Sequence, residues 1–104
     1  MSSRITLAGK YLGETITEKF DFTSLLAAGE TISTQTVTAS VYSGTDASPS
    51  AIVSGSASAS GAIVSQKITA GTLGVVYELL CTITTSAGQT LLLSAYLPVV
   101  PDLV

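Results

Sequence analysis

The segment from Val75 to Ile83 alternates between two kinds of side chain, and this alternation constrains the fold more than any other feature of the sequence. Its odd positions are all apolar: Val75, Tyr77, Leu79, Cys81 and Ile83. Side chains two residues apart on a β-strand point to the same face, so these residues form one core-facing row. The turn Ser86-Ala87-Gly88-Gln89 and a second run, Thr90 to Leu97, complete the pattern of a β-hairpin.

The second face of this hairpin is apolar as well. Val76 and Leu80 occupy even positions of the first strand, and Leu92 and Tyr96 those of the second. A sheet that is apolar on both sides usually needs cover on both sides. A chain of 104 residues builds one modest core. We therefore expect the second face to bind another subunit or a partner, the alternative being that further strands of the same domain cover it.

The composition favours strands and turns over helices. The chain has 15 Ser, 15 Thr and 9 Gly, and few straight-chain helix formers. We predict one helical turn, Thr23 to Glu30, and about seven strands. The candidate segments are the two strands of the hairpin and six further ranges, of which the third is expected to have a bulge near residues 33–35: Arg4–Leu7, Thr15–Phe22, Thr31–Tyr42, Ala51–Val53, Ser56–Ser60 and Ile63–Thr69. Short strands joined by Gly- and Ser-bearing turns are typical of an antiparallel β-sandwich.

The spacing of Tyr77 and Cys81 is similar to that in the penultimate strand of an immunoglobulin-like fold. Cys81 is the only cysteine, so this sandwich has no disulfide, and we expect Cys81 to be a buried, inert thiol. Pro98 and Pro101 are expected to end regular pairing. The predicted organisation is a sandwich over residues 1–98 and an extended apolar tail over residues 99–104.

The residues offer little material for catalysis. The chain has no histidine, no Gly-x-Ser-x-Gly motif and no phosphate-binding loop. The carboxylates Glu14, Glu18, Asp21 and Glu30 could supply calcium ligands, but they lack the spacing of a calcium loop and are better interpreted as solvated charges. We therefore predict a protein that is not an enzyme and uses no cofactor or metal.

Charge and hydropathy also exclude two kinds of partner. The four basic residues are scattered over the sequence, whereas nucleic-acid-binding proteins gather them on one face. No apolar run approaches the length of a membrane span, and the first residues do not form a signal peptide. We therefore predict that the chain binds neither nucleic acid nor a membrane, and that it is produced in a cytoplasm.

Two further patterns have weaker functional interpretations. Thr34, Thr36 and Thr38 could present hydroxyls to a sugar or to ice, although threonine is also common on the wet face of a strand. The aromatic residues Tyr11, Tyr42 and Tyr96 could belong to a binding surface, but their spacing does not gather them. The candidate interface residues are Val76, Leu80, Leu92, Tyr96, Val99, Val100, Leu103 and Val104.

Three sequence strings carry a resemblance to a known group of proteins. They are GETITEKFDFTSLLAAGETI (Gly13–Ile32), VYSGTDASPS (Val41–Ser50) and CTITTSAGQT (Cys81–Thr90). Over roughly Tyr11 to Leu97 the chain resembles small immunoglobulin-like virion structural proteins of tailed bacteriophages, some of which are fibre–tail adaptors. The resemblance implies no catalytic residues.

The implied role is structural. Copies of the chain would form a ring or another oligomer at the tail or neck of the particle and dock a fibre or spike, after assembly in the cytoplasm of the bacterial host. The alternative within the virion is a capsid decoration protein. A third hypothesis is a carbohydrate-binding module. Such a module requires exposed aromatic residues and carboxylates around a groove, whereas this chain has no Trp.

Overall fold

The computed structural model describes residues 2–6 and 10–100, and it confirms an all-β sandwich. Its strands are β1 (Ser2–Thr6), β2 (Lys10–Tyr11), β3 (Ile16–Asp21), β4 (Ile32–Ser43), β5 (Val53–Ser60), β6 (Ile63–Ile68), β7 (Val76–Thr85) and β8 (Thr90–Val100). β2 has only two residues, and the seven longer strands agree with the predicted number.

The strands form two sheets that pack face to face. The large sheet has the order β1-β8-β7-β4, and β2 also pairs with β8. The small sheet has the order β3-β6-β5. β1 and β2 run parallel to β8, and the other pairs are antiparallel.

The core lies between the sheets and is built on the odd positions of β7, as the alternation predicts. Tyr77, Leu79, Cys81 and Ile83 are each 0% exposed. The small sheet contributes Phe20, Val64 and Ile68 to the same cluster. Burying one such side chain stabilises the fold by about 1.5–3 kcal/mol. Burial also raises the pKa of the Cys81 thiol to about 12, so the predicted buried thiol is confirmed.

The connection from β3 to β4 contains the predicted single turn. The carbonyl of Phe22 accepts hydrogen bonds from the amides of Leu25 (2.9 Å) and Leu26 (3.1 Å). Both leucines are half-buried and pack against the core. Gly29 closes the turn at φ +80°, a conformation that favours glycine.

Strand β4 pairs with β7 and has two irregularities. The first shift of register falls between Ile32 and Thr34, where the sequence predicts a bulge. The second falls between Val41 and Ser43 and was not predicted. Between them, residues 34–41 pair with β7 without interruption.

The segment between β4 and β5 differs from the prediction. The short strand predicted at Ala51–Val53 is absent as such, because Pro49–Ile52 form a 3₁₀ turn and Val53 is the first residue of β5. Proline at the first position of a helical turn loses no hydrogen bond and has the required φ, which explains the turn. β5 then runs along the edge of the small sheet, where the predicted edge strand at Ser56–Ser60 is confirmed.

The expectation that Pro98 ends regular pairing is wrong. β8 continues through Val100, and the amide of Val99 donates to the carbonyl of Val75 over 3.0 Å. Bonds to an antiparallel neighbour come from alternate residues, so β7 needs no amide hydrogen from Pro98. The predicted boundary therefore falls inside β8. Residues 101–104 of the predicted tail lie outside the described residues.

Candidate interaction surface

The candidate surface is the outer face of the large sheet, formed by the even positions of β7 and β8. On β7 these residues are all half-buried, including the apolar Val76 and Leu80. On β8 they are Leu92, Ser94, Tyr96, Pro98 and Val100. We call the apolar members of this row, together with Tyr42 of β4, the outer apolar face: Val76, Leu80, Leu92, Tyr96, Pro98, Val100 and Tyr42.

The pairing of β7 with β8 brings these side chains together. Leu80 lies opposite Ser94, so Leu92 and Tyr96 are its two diagonal neighbours on the same face. Val76 lies opposite Pro98. Five of the eight predicted interface residues thus share one surface: Val76, Leu80, Leu92, Tyr96 and Val100.

Val99 belongs to a different place. Its side chain is 3% exposed and lies in the core cluster. A Cβ atom built on Gly71 would be 3.0 Å from Cγ2 of Val99, so this part of the core is tightly packed. The interpretation of Val99 as a docking residue is therefore wrong for this fold, because odd positions of β8 face inward. Leu103 and Val104 lie outside the described residues.

Two tyrosines meet on the outer apolar face, which the sequence did not predict. The ring centroids of Tyr42 and Tyr96 are 4.3 Å apart, with an interplanar angle of 35°. β4 and β8 are separated by β7, a span of about 10 Å between strand axes, so the rings meet above β7. The available signal was the parity of Tyr42, which matches that of the exposed Thr38 and Ser40, but the sequence does not display the strand order that places β4 and β8 on either side of β7.

Two other exposed apolar side chains lie near the point where β8 leaves the sheet. Leu12 and Leu73 are 39% and 48% exposed. The amide of Leu12 donates to the carbonyl of Val100 (3.0 Å), and the amide of Gly74 donates to that of Val99 (3.2 Å). Tyr42, which is 58% exposed, lies at the same end of β4. The large exposed apolar residues of the described chain therefore cluster at this end of the sandwich.

A buried hydrogen-bond group fixes the loops at this end. The hydroxyl of Tyr77 donates to Oδ2 of Asp46 (2.6 Å) and accepts from the amide of Thr72 (2.8 Å). The bond from Tyr77 lowers the pKa of the Asp46 carboxyl, and burial followed by the Asp46 contact raises the pKa of Tyr77. Tyr77 thereby ties the β4–β5 and β6–β7 connections to the core.

The outer apolar face carries little charge. Glu78 is the only charged residue in the sequences of β4, β7 and β8. A surface of this kind favours contacts made by apolar and hydroxyl groups over ion pairing.

The acidic residues of the first third serve local structure. The carboxylate of Glu14 accepts from the amide of Tyr11, that of Asp21 from Thr23, and that of Glu30 from Ala27 and Thr85. Within the described residues, no group of three or more His, Cys, Asp or Glu side chains could hold a metal ion. Nor does that part of the chain contain a helix long and apolar enough to cross a membrane.

The fold and this surface together define an all-β interaction module. A family model described as "Podophage GP4 fiber-tail adaptor protein gp77" matches residues 10–98, from β2 to Pro98 in β8. The chain belongs to this family, and the resemblance to phage fibre–tail adaptors is confirmed. The family description indicates a structural adaptor that binds other proteins of the virion. No curated protein and no solved structure matched the chain.

Proposed function

We propose that this chain is a non-enzymatic adaptor that docks a fibre or spike to the tail or neck of a podophage particle, and that the outer apolar face makes the docking contact. One observation carries the proposal. Six even positions of β7 and β8 form a half-buried apolar patch on the solvent side of the large sheet, opposite the core cluster: Val76, Leu80, Leu92, Tyr96, Pro98 and Val100. Such a patch on a small domain marks an interaction site.

The sandwich itself is proposed to be immunoglobulin-like. The order of neighbouring strands in the small sheet, β3-β6-β5, corresponds to strands B-E-D of that fold. In the large sheet, the order β4-β7-β8 corresponds to strands C-F-G. The bond from the Thr72 amide to the Tyr77 hydroxyl is similar to the tyrosine corner of such domains. The correspondence is incomplete, since Cys81 follows Tyr77 by four residues and has no partner cysteine.

The remaining parts of the proposal concern the particle. We infer that several copies form a ring or another oligomer, that the copies are assembled in the cytoplasm of the host cell, and that docking uses strand edges as well as the outer apolar face. The absence of histidine and the low charge of the surface support a role in binding over one in catalysis.

Immunogold labelling of purified particles tests the location. We expect gold at the tail or at the base of the fibres in electron micrographs. Label spread over the head would instead support a capsid decoration protein, and unlabelled intact particles would contradict a virion component of any kind.

A matched pair of charge substitutions tests the surface. Leu80→Glu places a carboxylate on the outer apolar face, and Thr17→Glu places one on the exposed outer face of β3, opposite Lys67. We expect Leu80→Glu to abolish incorporation into particles and Thr17→Glu to leave it unchanged. Both variants should remain folded in the absence of urea, and a Leu80→Glu protein that is unfolded would show that Leu80 belongs to the core. Normal incorporation of a folded Leu80→Glu protein would show that another surface docks.

A further inference from the structure

The edges of the two sheets differ in how they are protected. A free edge presents unpaired amide and carbonyl groups to any extended chain, and natural proteins block such edges with charges, prolines, bulges or short strands. Within the described residues, the edges are formed by β1 with β2, by β3, by β4 and by β5.

Strands β1 and β2 are both short. β1 has five residues and β2 has two, and they pair with β8 at residues 92–96 and 99–100. Each strand also contains a basic residue, Arg4 and Lys10. Lys10 is 0% exposed, and its ammonium donates to the carbonyls of Tyr11 (2.9 Å) and Leu12 (3.2 Å). Short strands and basic residues are among the devices that protect an edge.

Strand β3 is protected by charge. Three of its six residues are charged: Glu18, Lys19 and Asp21. Glu18 shares the core-facing side with Ile16 and Phe20, and burial raises the pKa of its carboxyl. An inward-pointing charge on an edge strand is one of the known protective devices, because a pairing chain would bury it further.

Strand β5 is protected by a bulge. Its register with β6 jumps from Ser54 to Ser58, and Gly55 has φ +72°. The side-chain amide of Gln66 donates to the carbonyls of Ser54 (2.9 Å) and Gly55 (3.2 Å), so the displaced backbone is held in place. The side-chain amide of Gln35, which lies on β4, donates a hydrogen bond to the carbonyl of Ala57 (3.3 Å). The edge is therefore bent and partly bonded already.

Strand β4 has none of these protections over its central part. It is the longest strand, with 12 residues, and the sequence contains no charged residue and no proline from Thr31 to Thr45. Its two bulges lie at its ends, and residues 34–41 are regular. Because the other edges are protected and no described strand pairs with this one, we propose that β4 pairs antiparallel with β4 of a second copy, which joins the two large sheets into one.

The sequence of β4 is complementary to itself in this arrangement. Thr34, Thr36, Thr38 and Ser40 are exposed on the outer face. Antiparallel pairing about Val37 places Thr36 opposite Thr38 of the second copy and Thr34 opposite its Ser40. Cross-strand hydroxyl pairs of this kind stabilise a sheet, and no like charges oppose each other. The same face already contains one such pair, with Oγ1 of Thr34 and Oγ1 of Thr84 2.6 Å apart.

The pairing occupies only the edge of β4 and leaves the outer apolar face free, so the apolar docking contact proposed above does not depend on it, whereas the oligomer proposed there would be built from such pairs. A C2 pair of this kind is isologous, so each copy contributes the same strand. The pair would present two outer apolar faces on one continuous sheet.

The test uses the isolated chain in solution. Analytical ultracentrifugation from micromolar to millimolar concentration is expected to show the wild-type mass rising from that of one chain to that of two. Thr36→Lys/Thr38→Lys, which brings lysines against lysines across the pair, is expected to remain at the mass of one chain. The control Ser58→Lys/Ser60→Lys adds the same charges to the bulged β5 edge and is expected to associate as the wild type does.

Charge complementation then tests the antiparallel geometry. Thr36→Glu/Thr38→Glu should also stay monomeric alone, and an equimolar mixture with Thr36→Lys/Thr38→Lys should form a one-to-one pair. Circular dichroism confirms that each variant is folded. A wild-type chain that stays monomeric at millimolar concentration overturns the proposal, as does a mixture of folded variants that fails to pair. Particle labelling and Leu80→Glu incorporation are separate readouts, so either proposal can fail alone.

Discussion

The two outer faces of the sandwich cover the same core but differ in chemistry. On the small sheet, β3 and β6 present Thr17, Lys19, Asp21 and Lys67, which are all exposed. On the large sheet, β7 and β8 present Val76, Leu80, Leu92 and Tyr96, which are all half-buried.

This difference teaches that the two sheets meet solvent in different ways. The small sheet has polar side chains on every outward position of β3. The large sheet has half-buried apolar residues on the outward side of β7 and β8. We propose that a contact outside the chain explains their presence, in agreement with the adaptor family to which the chain belongs.

The largest expected effect compares the two sides of β7. Leu79 is 0% exposed and Leu80 is half-buried on the outer apolar face. Leu79→Ala is expected to lower the free energy of unfolding by about 2–5 kcal/mol, because it leaves a cavity in the core. Leu80→Ala is expected to lower it by less than about 1.5 kcal/mol, since that side chain is only half-buried and lies on the outer side of the sheet, where its removal leaves no enclosed cavity.

Urea unfolding of the two variants measures both values. Equal losses would mean that Leu80 is a core residue and that the outer apolar face is part of the fold. In that case the contrast between the two faces would no longer support a docking surface.

A smaller effect is expected at the tyrosine pair. Aromatic pairs in contact contribute about 0.5–1.5 kcal/mol beyond the area that they bury. A double-mutant cycle with Tyr42→Ala and Tyr96→Ala should give a coupling energy in this range, measured by thermal or urea unfolding. A second cycle with Tyr42→Ala and Thr17→Ala, on opposite outer faces, should be additive. Additivity in both cycles would show that the two rings do not stabilise each other in the isolated chain.

The smallest effect is expected from two carboxylates of β3 with opposite pH dependence. Burial raises the pKa of Glu18, so its charged form is disfavoured in the fold. Its contribution to stability therefore improves as the pH falls through the raised pKa, and Glu18→Gln should be slightly more stable than the wild type at pH 7. The stability advantage of Glu18→Gln over the wild type should shrink as the pH is lowered.

Asp21 is the matched control on the same strand. Hydrogen bonds from the hydroxyl and the amide of Thr23 lower the pKa of its carboxyl. Its stabilising contribution is present above the unfolded pKa and is lost as the pH falls through the lowered pKa, so Asp21→Asn should be less stable than the wild type near neutrality. Unfolding midpoints across the acid range test both signs, and shifts of the same sign would contradict the assigned environments.

The sequence was sufficient wherever side-chain parity carries the information. The alternation from Val75 to Ile83 predicted the core row of β7, and the change of parity after Ile32 predicted the first bulge of β4. Both are local patterns that a strand displays in its own sequence. The outward position of Leu80 and Leu92 followed from the same parity.

The sequence was insufficient where pairing partners decide the outcome. Pro98 lacks an amide hydrogen, but whether that ends a strand depends on which residues bond to β7, and Val99 makes the bond. The contact between Tyr42 and Tyr96 depends on the strand order, in which β7 lies between β4 and β8. Lys10 can be buried because backbone carbonyls accept hydrogen bonds from its ammonium group. A lysine in the sequence of a short strand does not indicate such bonds.

The parallel pairing of β1 with β8 has a mechanical consequence. Ser2 pairs with Leu92 and Thr6 with Tyr96, so both strands run in the same direction along their shared ladder. A pull on the chain before Ser2 and an opposing pull beyond Val100 act in opposite directions along the strands. Such a load shears the ladder, and its hydrogen bonds bear the tension together and do not open one after another. The parallel pairing therefore places β1 and β8 in the orientation that resists traction along the strands.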